Sequence, residues 1–562
     1  MKRDVESSAG SQSDCEASLL GVPTGNACVK KRPSKRLKRR RRSKQTEVES
    51  SREDADSLDA DADVLQNDLP PGPDSYTASF DWASNFLKVL AASSNIDAGD
   101  FASGFQARAP KKVVLTTTYS GMGCAEASCK FIVAALQQVF GVDVPIEFHS
   151  AMDNSGLCRK VLASMEFGPA HIFGDIYELI TPQVKQELFR LQKVHIRRFL
   201  RARKAAQEGS KTALVHQHGQ AFMRAACNAL SRVVFRRDKK AWCYNCEGNC
   251  TISPGGAQPE TGVLFIEVGG HTCTPWSLAG NRMSWLSSDA IPGLIWLHWI
   301  KTRNVHHFID ECSPNFDTDA IVEILKAYKV YPLVFSPCDL GLPSSRRRKY
   351  THCIHGSLGL PLRQWDLANL RGLAFRQLNT HATMYFCAPE EELRDHCNTM
   401  ARKRGLQRRY RWRYNTVMSV ADRIRRDGYI QRATENGLLK KGTQEPHDGT
   451  DVIINVMQSS SHHRLLKPYA PALMRKSQLY SLKLKRGMLP LETLCVQGFP
   501  LWVGDEGVEA LSCLSIDFLK TLKASELRSL TGNSMQLAAV GTAILFALCM
   551  SPALPQAAVS SS

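Results

Sequence analysis

Lys111–Phe140, reading KKVVLTTTYSGMGCAEASCKFIVAALQQVF, decides the class of fold. Lys111 to Leu115 is a strand-like run, Tyr119-Ser120-Gly121-Met122-Gly123-Cys124 is a turn holding two glycines, and Ala125 to Phe140 reads as helix. Strand, glycine turn, helix is the layout of a nucleotide-binding βα unit, where backbone must come close to a ligand. Alone the turn is a weak signal, because a tight structural turn has the same composition. Ile146 to Asp153 is another strand ending in a carboxylate, which suits hydrogen bonding to ribose hydroxyls. A third unit ends at Gly174-Asp175-Ile176. This alternation predicts a doubly wound, Rossmann-like α/β sheet.

Further along, Leu264–Arg282 (LFIEVGGHTCTPWSLAGNR) starts as a buried strand, breaks at Gly269-Gly270 and delivers a thiol, Cys273, on the loop beyond. Reacting groups of open α/β sheets sit beyond the carboxyl ends of strands. A lone cysteine there is more often structural. Ile295–Ile300 then reads as helix, Val305–Ile309 as a strand leading into Asp310-Glu311-Cys312, and Tyr331–Phe335 as a strand before an arginine-rich loop ending at Arg346-Arg347-Arg348. Residues 356 to 487 lack the βα rhythm. They contain Arg408–Tyr414 (RRYRWRY), where arginines and aromatics interleave as phosphate contact and base stacking require, or as an exposed strand would. Leu537–Met550 is apolar but shorter than the roughly 20 residues of a membrane span, and reads as a buried helix.

The 562 residues carry a formal net charge of +18, which favours a polyanionic partner, nucleic acid first. No secretory leader is evident at Met1-Lys2-Arg3-Asp4, so the 18 cysteines are expected to be mostly free thiols in a reducing compartment. Residues 1 to about 75 are polar enough to predict a disordered tail. Within them Lys30–Lys44 (KKRPSKRLKRRRRSK) reads as a nuclear address or a nucleic-acid tether. Phe80–Leu90 could dock this tail through one or two amphipathic turns.

Residues 181 to 260 interrupt the rhythm with two basic amphipathic stretches, Pro182–Lys204 (Leu188, Leu191, Phe199 and Leu200 on its apolar face) and Phe222–Arg237. Cys243-Tyr-Asn-Cys246-Glu-Gly-Asn-Cys250 follows. Its spacing could ligate zinc, with Cys227, His216 or His218 as fourth ligand. A second CxxC is missing, so free thiols are the expectation.

Taken in order, these motifs resemble those of the DNA cytosine-5 methyltransferases, which use S-adenosylmethionine. Tyr119–Cys124 is similar to the family's Phe-x-Gly-x-Gly-Gly, Gly270–Ser277 to its Gly-x-Pro-Cys-Gln-x-Phe-Ser loop, and Glu311 falls on the glutamate of Glu-Asn-Val. Arg346 and Arg348 fall on Gln-x-Arg-x-Arg, while Gln497-Gly498-Phe499-Pro500 and Gly532-Asn533 match the last two motifs. The resemblance implies Cys273 as nucleophile, with Glu311, Arg346 and Arg348 gripping the target base. It implies cofactor contacts from Tyr119, Ser120, Gly121 and Gly123, from Asp153 to ribose, from Asp175 and Ile176 to adenine, and from Asn533 and Ser534. Thr272 and Thr274 replace the proline and glutamine flanking the nucleophile, Cys312-Ser313 the Asn-Val, and Ser344 the glutamine before the arginines.

The implied division is a tail (1–75), a docking linker (76–110), a cofactor-binding catalytic domain (111–355, insertion 181–260), a smaller, irregular target-recognition region (356–487) and a return to the catalytic domain (488–555). The implied reaction is methyl transfer to carbon 5 of cytosine in double-stranded DNA in the nucleus, with no membrane involved. Two other readings compete. One is an RNA enzyme, although the Cys-Phe-Thr tripeptide of the tRNA-modifying branch is missing from the sequence. The other is a catalytically weak DNA-binding relative.

Overall fold

The computed structural model describes residues 68–93, 103–107, 109–206, 211–254, 262–277, 280–358, 364–407, 413–442, 445–446, 451–460 and 469–551. The expected tail up to residue 67, with its basic run, and the Arg408–Trp412 part of the arginine-aromatic stretch lie outside the described residues. Gln66–Ser562 forms one unit.

A seven-stranded sheet organises that unit. Its strands are β1 (Lys112–Thr118), β2 (Ile146–Met152), β3 (His171–Phe173), β6 (Val263–Gly269), β7 (His307–Cys312), β8 (Tyr328–Phe335) and β9 (Arg348–His355), in the order β3-β2-β1-β6-β7-β9-β8. A hairpin, β4 (Lys240–Cys243) and β5 (Gly248–Thr251), forms a two-stranded sheet of its own. β1 is central because its apolar and threonine side chains are buried from Val113 to Thr118, as a strand covered on both faces requires. β1, β2, β3, β6 and β7 run parallel, whereas β9 is antiparallel to both β7 and β8. This is the Rossmann-like α/β class expected, with one reversed strand added. The reversal matters: β9 begins where its parallel neighbours end, so Arg348 starts at the edge of the sheet that Cys312 reaches.

Helices cover both faces. On one side α1 (Trp82–Ala92) and α2 (Cys124–Phe140) pack under the first core; α3 (Gly156–Ser164) follows β2. On the other lie α4 (Pro182–Ala205), α5 (Lys211–Leu230) and α6 (Ile291–Arg303), around Phe222, Trp285 and Trp296. In the 356–487 region, α7 (Val420–Glu435) and the short strands β10 (Ile453–Asn455), β11 (Leu479–Ser481) and β12 (Arg486–Gly487) enclose a core of their own, including Tyr429, Ile454 and Tyr480. The expected irregularity is therefore partly regular structure, whose strands are only two or three residues long. α8 (Leu537–Met550) is buried along its whole length and joins the first core, as a core helix should.

Several boundaries differ from expectation. α1 makes three turns and buries Phe86, Leu87 and Leu90, so it belongs to the core rather than resting on it. Contacts begin earlier still, since Pro70 accepts a hydrogen bond from Gln377 N–H. In the insertion, α5 starts eleven residues before the Phe222–Arg237 stretch and ends inside it, at Leu230, and Leu200, expected on the apolar face of α4, is exposed.

Candidate active site

Three chain segments leave the sheet side by side at one edge. Thr118, the last residue of β1, lies level with Gly269 of β6, and Gly269 with Asp310 of β7. Tyr119, Gly270 and Glu311 therefore emerge side by side, at the point where the strand order reverses and open α/β sheets bind ligands.

The glycine turn after β1 is held from several directions. Gly123 takes φ 83° at the start of α2, a left-handed conformation that disfavours a side chain. Ser120 accepts from Met152 N–H at 3.0 Å and contacts Thr117 Oγ1 at 2.7 Å, so its hydroxyl ties β1 to β2. Asp153 receives Gly121 N–H on one carboxylate oxygen (2.9 Å) and Ser155 N–H on the other (2.8 Å). Burial raises its carboxyl, and those two backbone donors partly oppose the shift. Asp175 caps the turn beginning at Ile176 by accepting from Tyr177 N–H at 3.0 Å. Both acids thus stand at the expected strand ends while also organising backbone, each with lone pairs to spare. Ile176 is buried.

Tyr119 itself has φ 57°, rare for a residue with a side chain. Its ring meets Trp296 edge-on, and its hydroxyl is buried without a partner, among Tyr177, Asp310, Asp175 and Asp153. A buried orphan hydroxyl asks for a ligand. Beside it, a side chain at Gly121 would meet nothing within 4 Å. An aromatic ring, two carboxylates and open space at a glycine turn fit a nucleoside-bearing cofactor.

Beyond β6, the Cys273 carbonyl accepts from Trp276 N–H (3.0 Å) and Ser277 N–H (2.9 Å), closing the loop into a turn. Trp276 anchors that turn against His271, Trp285 and Phe316. Cys273 is half-buried, and its thiol lies within the electrostatic surroundings of the buried Arg346 guanidinium, together with Arg348, Glu311 and Tyr350. Burial and then Arg348 push Arg346 down to about 10, so it stays charged at neutral pH. Its Nη1 donates to Leu473 carbonyl at 3.4 Å, and its Nε has no protein partner. Arg348 Nε lies 3.0 Å from Glu311 Oε1 but off the line of a hydrogen bond, leaving that buried oxygen without a donor. The four residues expected around a target base are thus one neighbourhood, with unspent hydrogen-bonding capacity at its centre.

The solved structures similar to this chain include a Dnmt2 methyltransferase of S. pombe and the methyltransferase EhMeth of Entamoeba histolytica. The first is 10% identical at TM-score 0.37, covering 78% of this chain and 98% of its own. The second is 13% identical at TM-score 0.34, with coverage of 78% and 98%. A Spodoptera frugiperda DNMT2 mutant is 13% identical at TM-score 0.33, with coverage of 78% and 99%. No family model and no curated protein matches the chain.

The C-terminal residues divide. Ser534 is buried with its Oγ 2.9 Å from Cys124 Sγ, so the last motif does meet the first. Asn533, also expected at the cofactor, is exposed and accepts from Arg475 Nε at 2.9 Å. It is turned there because Gly532 lies against the backbone of Met474 and Arg475, so closely that a Cβ would sit 2.3 Å from Arg475 N.

Sequence reasoning missed His271 and Asp310. His271 Nδ1 is 2.7 Å from Asp310 Oδ1, and its Nε2 is 3.5 Å from Cys312 Sγ. It also missed Glu267, under the carboxyl ends of β1 and β6, where Arg303, Thr118 and Trp296 surround it. The fourth-ligand candidates for zinc need correcting as well: the histidine beside the three cysteines is His171 of β3.

Proposed function

We propose that this chain is an S-adenosylmethionine-dependent cytosine-5 methyltransferase acting on double-stranded DNA. The observation that carries the proposal is the buried, donorless Oε1 of Glu311, 3.0 Å from Arg348 Nε, in the neighbourhood that Arg346 shares with Cys273. Buried polar atoms without partners are rare unless a ligand completes them.

When bound, S-adenosylmethionine supplies an electrophilic methyl group. Tyr119 and Tyr177 would flank its nucleoside, with Asp153 and Asp175 taking hydroxyl or amine protons. Carbon 5 of cytosine is a poor nucleophile until the ring loses aromaticity. Addition of the Cys273 thiolate to carbon 6 does this. Negative charge then moves toward ring nitrogen 3, to which Glu311 passes a proton that returns as the ring re-forms, while Arg348 binds the carbonyl oxygen at position 2. Arg346 keeps positive charge in the neighbourhood of the attacking sulfur. Carbon 5, once it carries the methyl group, loses its proton to water, and the carbon 6–sulfur bond breaks with its electron pair returning to Cys273, which restores the aromatic ring and the enzyme. A base in a duplex must first leave the stack.

The +18 charge and the Lys30–Lys44 run support DNA in the nucleus as the setting. Labelled-methyl transfer to duplex DNA and to tRNA, with Cys273→Ala as control, tests the reading. Label on DNA that the variant abolishes supports it. Label on tRNA alone moves the substrate to RNA, and label on neither leaves a nucleic-acid-binding relative.

A further inference from the structure

We propose that His171, Cys243, Cys246 and Cys250 form a structural zinc site that clamps the 181–260 insertion to the edge strand of the central sheet. Nothing in the proposed methyl-transfer chemistry uses these residues.

The four side chains converge closely enough to share one ion. The four ligand atoms all lie within 4.8 Å of one another. His171 Nδ1 is 3.4 Å from Cys246 Sγ and 3.8 Å from Cys243 Sγ. Bond lengths of about 2.3 Å to sulfur and about 2.0–2.1 Å to nitrogen put tetrahedral ligands roughly 3.5–3.8 Å apart. None of the three cysteines is in a disulfide.

The chain around the cysteines has the form of a metal-binding knuckle. Cys243 ends β4, and its sulfur accepts backbone N–H from Cys246 (3.4 Å) and from Ile172 (3.4 Å). Such N–H groups stabilise a thiolate. Glu247 takes φ 50°, turning the chain so that β5 brings Cys250 back. Three soft thiolates and an imidazole select zinc over magnesium or calcium, which want oxygen. On binding, three thiols each release a proton to solvent, leaving the site with one net negative charge. Arg236, Arg237 and Lys240 line the adjoining cavity, whose volume is about 870 Å³.

The link to the rest of the fold is short. Tyr244 N–H donates to Ile172 carbonyl at 2.8 Å, so the hairpin lies along β3. The Tyr244 ring carries the Arg159 guanidinium 4.1 Å from its centroid, and Arg159 Nη1 donates to the Asp153 carbonyl at 2.8 Å. The metal would thus hold the hairpin that supports the Asp153 turn.

Elemental analysis of the full chain, expressed with zinc supplied, tests this without any methyl-transfer readout. About one zinc per chain is expected, the stoichiometry of a closed site. Cys246→Ser and Cys250→Ser should each lower it severalfold, and His171→Cys should retain it. Should the serine variants not fold, cobalt substitution of the unaltered chain decides: a thiolate-to-cobalt charge-transfer band with intense tetrahedral ligand-field bands supports the site. Zinc-free protein, iron in place of zinc, full zinc in the Cys246→Ser/Cys250→Ser double variant, or a cobalt form without those bands overturns it.

Discussion

His271 and Asp310 form a buried pair, Nδ1 to Oδ1 at 2.7 Å, with their side chains 4% and 1% exposed. His271 stands two residues before Cys273 on the loop after β6, and Asp310 one residue before Glu311 on β7. The pair therefore sets the spacing between the loop that carries the thiol and the strand that carries the carboxyl. Burial alone would push the imidazole down. Asp310 at one nitrogen and Cys312 at the other outweigh it and hold His271 well above the usual histidine range.

A histidine raised in the folded state contributes stability that is complete below its unfolded value of 6.5 and lost as pH rises through the folded one. Urea unfolding of the unaltered protein should therefore weaken progressively above pH 6.5, and His271→Gln should flatten that dependence. At neutral pH the substitution leaves Asp310 uncompensated and should cost about 3 kcal/mol. A pH slope identical in the two proteins would remove the pair from the account.

Glu311→Gln tests the grip on the base. The amide keeps the shape of the carboxylate but cannot hand over a proton as charge develops in the ring. Methyl transfer should fall by about a hundredfold or more, the loss expected when a charge-stabilising contact is removed. Duplex affinity, measured by fluorescence anisotropy, should change little. An equal loss in both would mean that Glu311 only supports the fold. Arg348→Lys should also fail to preserve rate, since an ammonium cannot replace a planar guanidinium.

Glu126, in the first turn of α2, is buried behind the glycine turn and accepts from Thr117 Oγ1 at 2.6 Å. Burial raises its carboxyl from 4.5 to about 7, with the Thr117 bond opposing. A raised acid contributes stability below its unfolded value that is lost as pH climbs through the folded one, here between 4.5 and about 7. At ~1.4 kcal/mol per unit, the penalty at alkaline pH is at most ~3 kcal/mol. Glu126→Gln should match the unaltered protein in thermal melts at pH 5 and exceed it at pH 8. Equal melting points at both would place Glu126 in contact with water.

What could be read from the residues, and what could not, follows one physical line. The strand, glycine turn and helix of Lys111–Phe140 were legible because each part is written locally: a β-branched run, left-handed turn positions and an apolar stripe. Cys273, Glu311, Arg346 and Arg348 were legible because each stands at a strand end within a recognisable motif. His271 was not, since its partner is 39 positions away on another strand. His171 escaped for the same reason, 72 positions from Cys243. The reversed direction of β9 has no local signature either. Its residues, RKYTHCIH, are buried by neighbours on both sides, and only pairing decides which way they run. The hydrogen bond from Arg475 to Asn533 has no local signature either, since it depends on the approach of Met474 and Arg475 to Gly532.

Under the strand ends, Glu267 and Arg303 make the ion pair on which the whole edge rests, Oε2 to Nη2 at 2.5 Å, both fully enclosed. Thr118 Oγ1 and Trp296 Nε1 also donate to the carboxylate, and Thr116 Oγ1 donates to it too. Burial by itself would raise Glu267; Arg303, helped by those donors, holds it below its usual 4.5. Its contribution is thus present above 4.5 and lost as pH falls through the lower folded value, so this pair resists acid until well below that point. Arg303→Met strands a charge in the core and should cost about 3–5 kcal/mol at neutral pH. The variant should also regain stability as acid protonates Glu267, the reverse of the unaltered protein. Adding Glu267→Gln to Arg303→Met should restore part of the loss, because the amide still accepts from the threonines without a charge to compensate. Urea unfolding of the two single variants and the double one, at pH 5 and pH 7, measures the coupling. If Arg303→Met costs less than about 1 kcal/mol, the range of exposed pairs, then water reaches the carboxylate and the strand ends are held by something else.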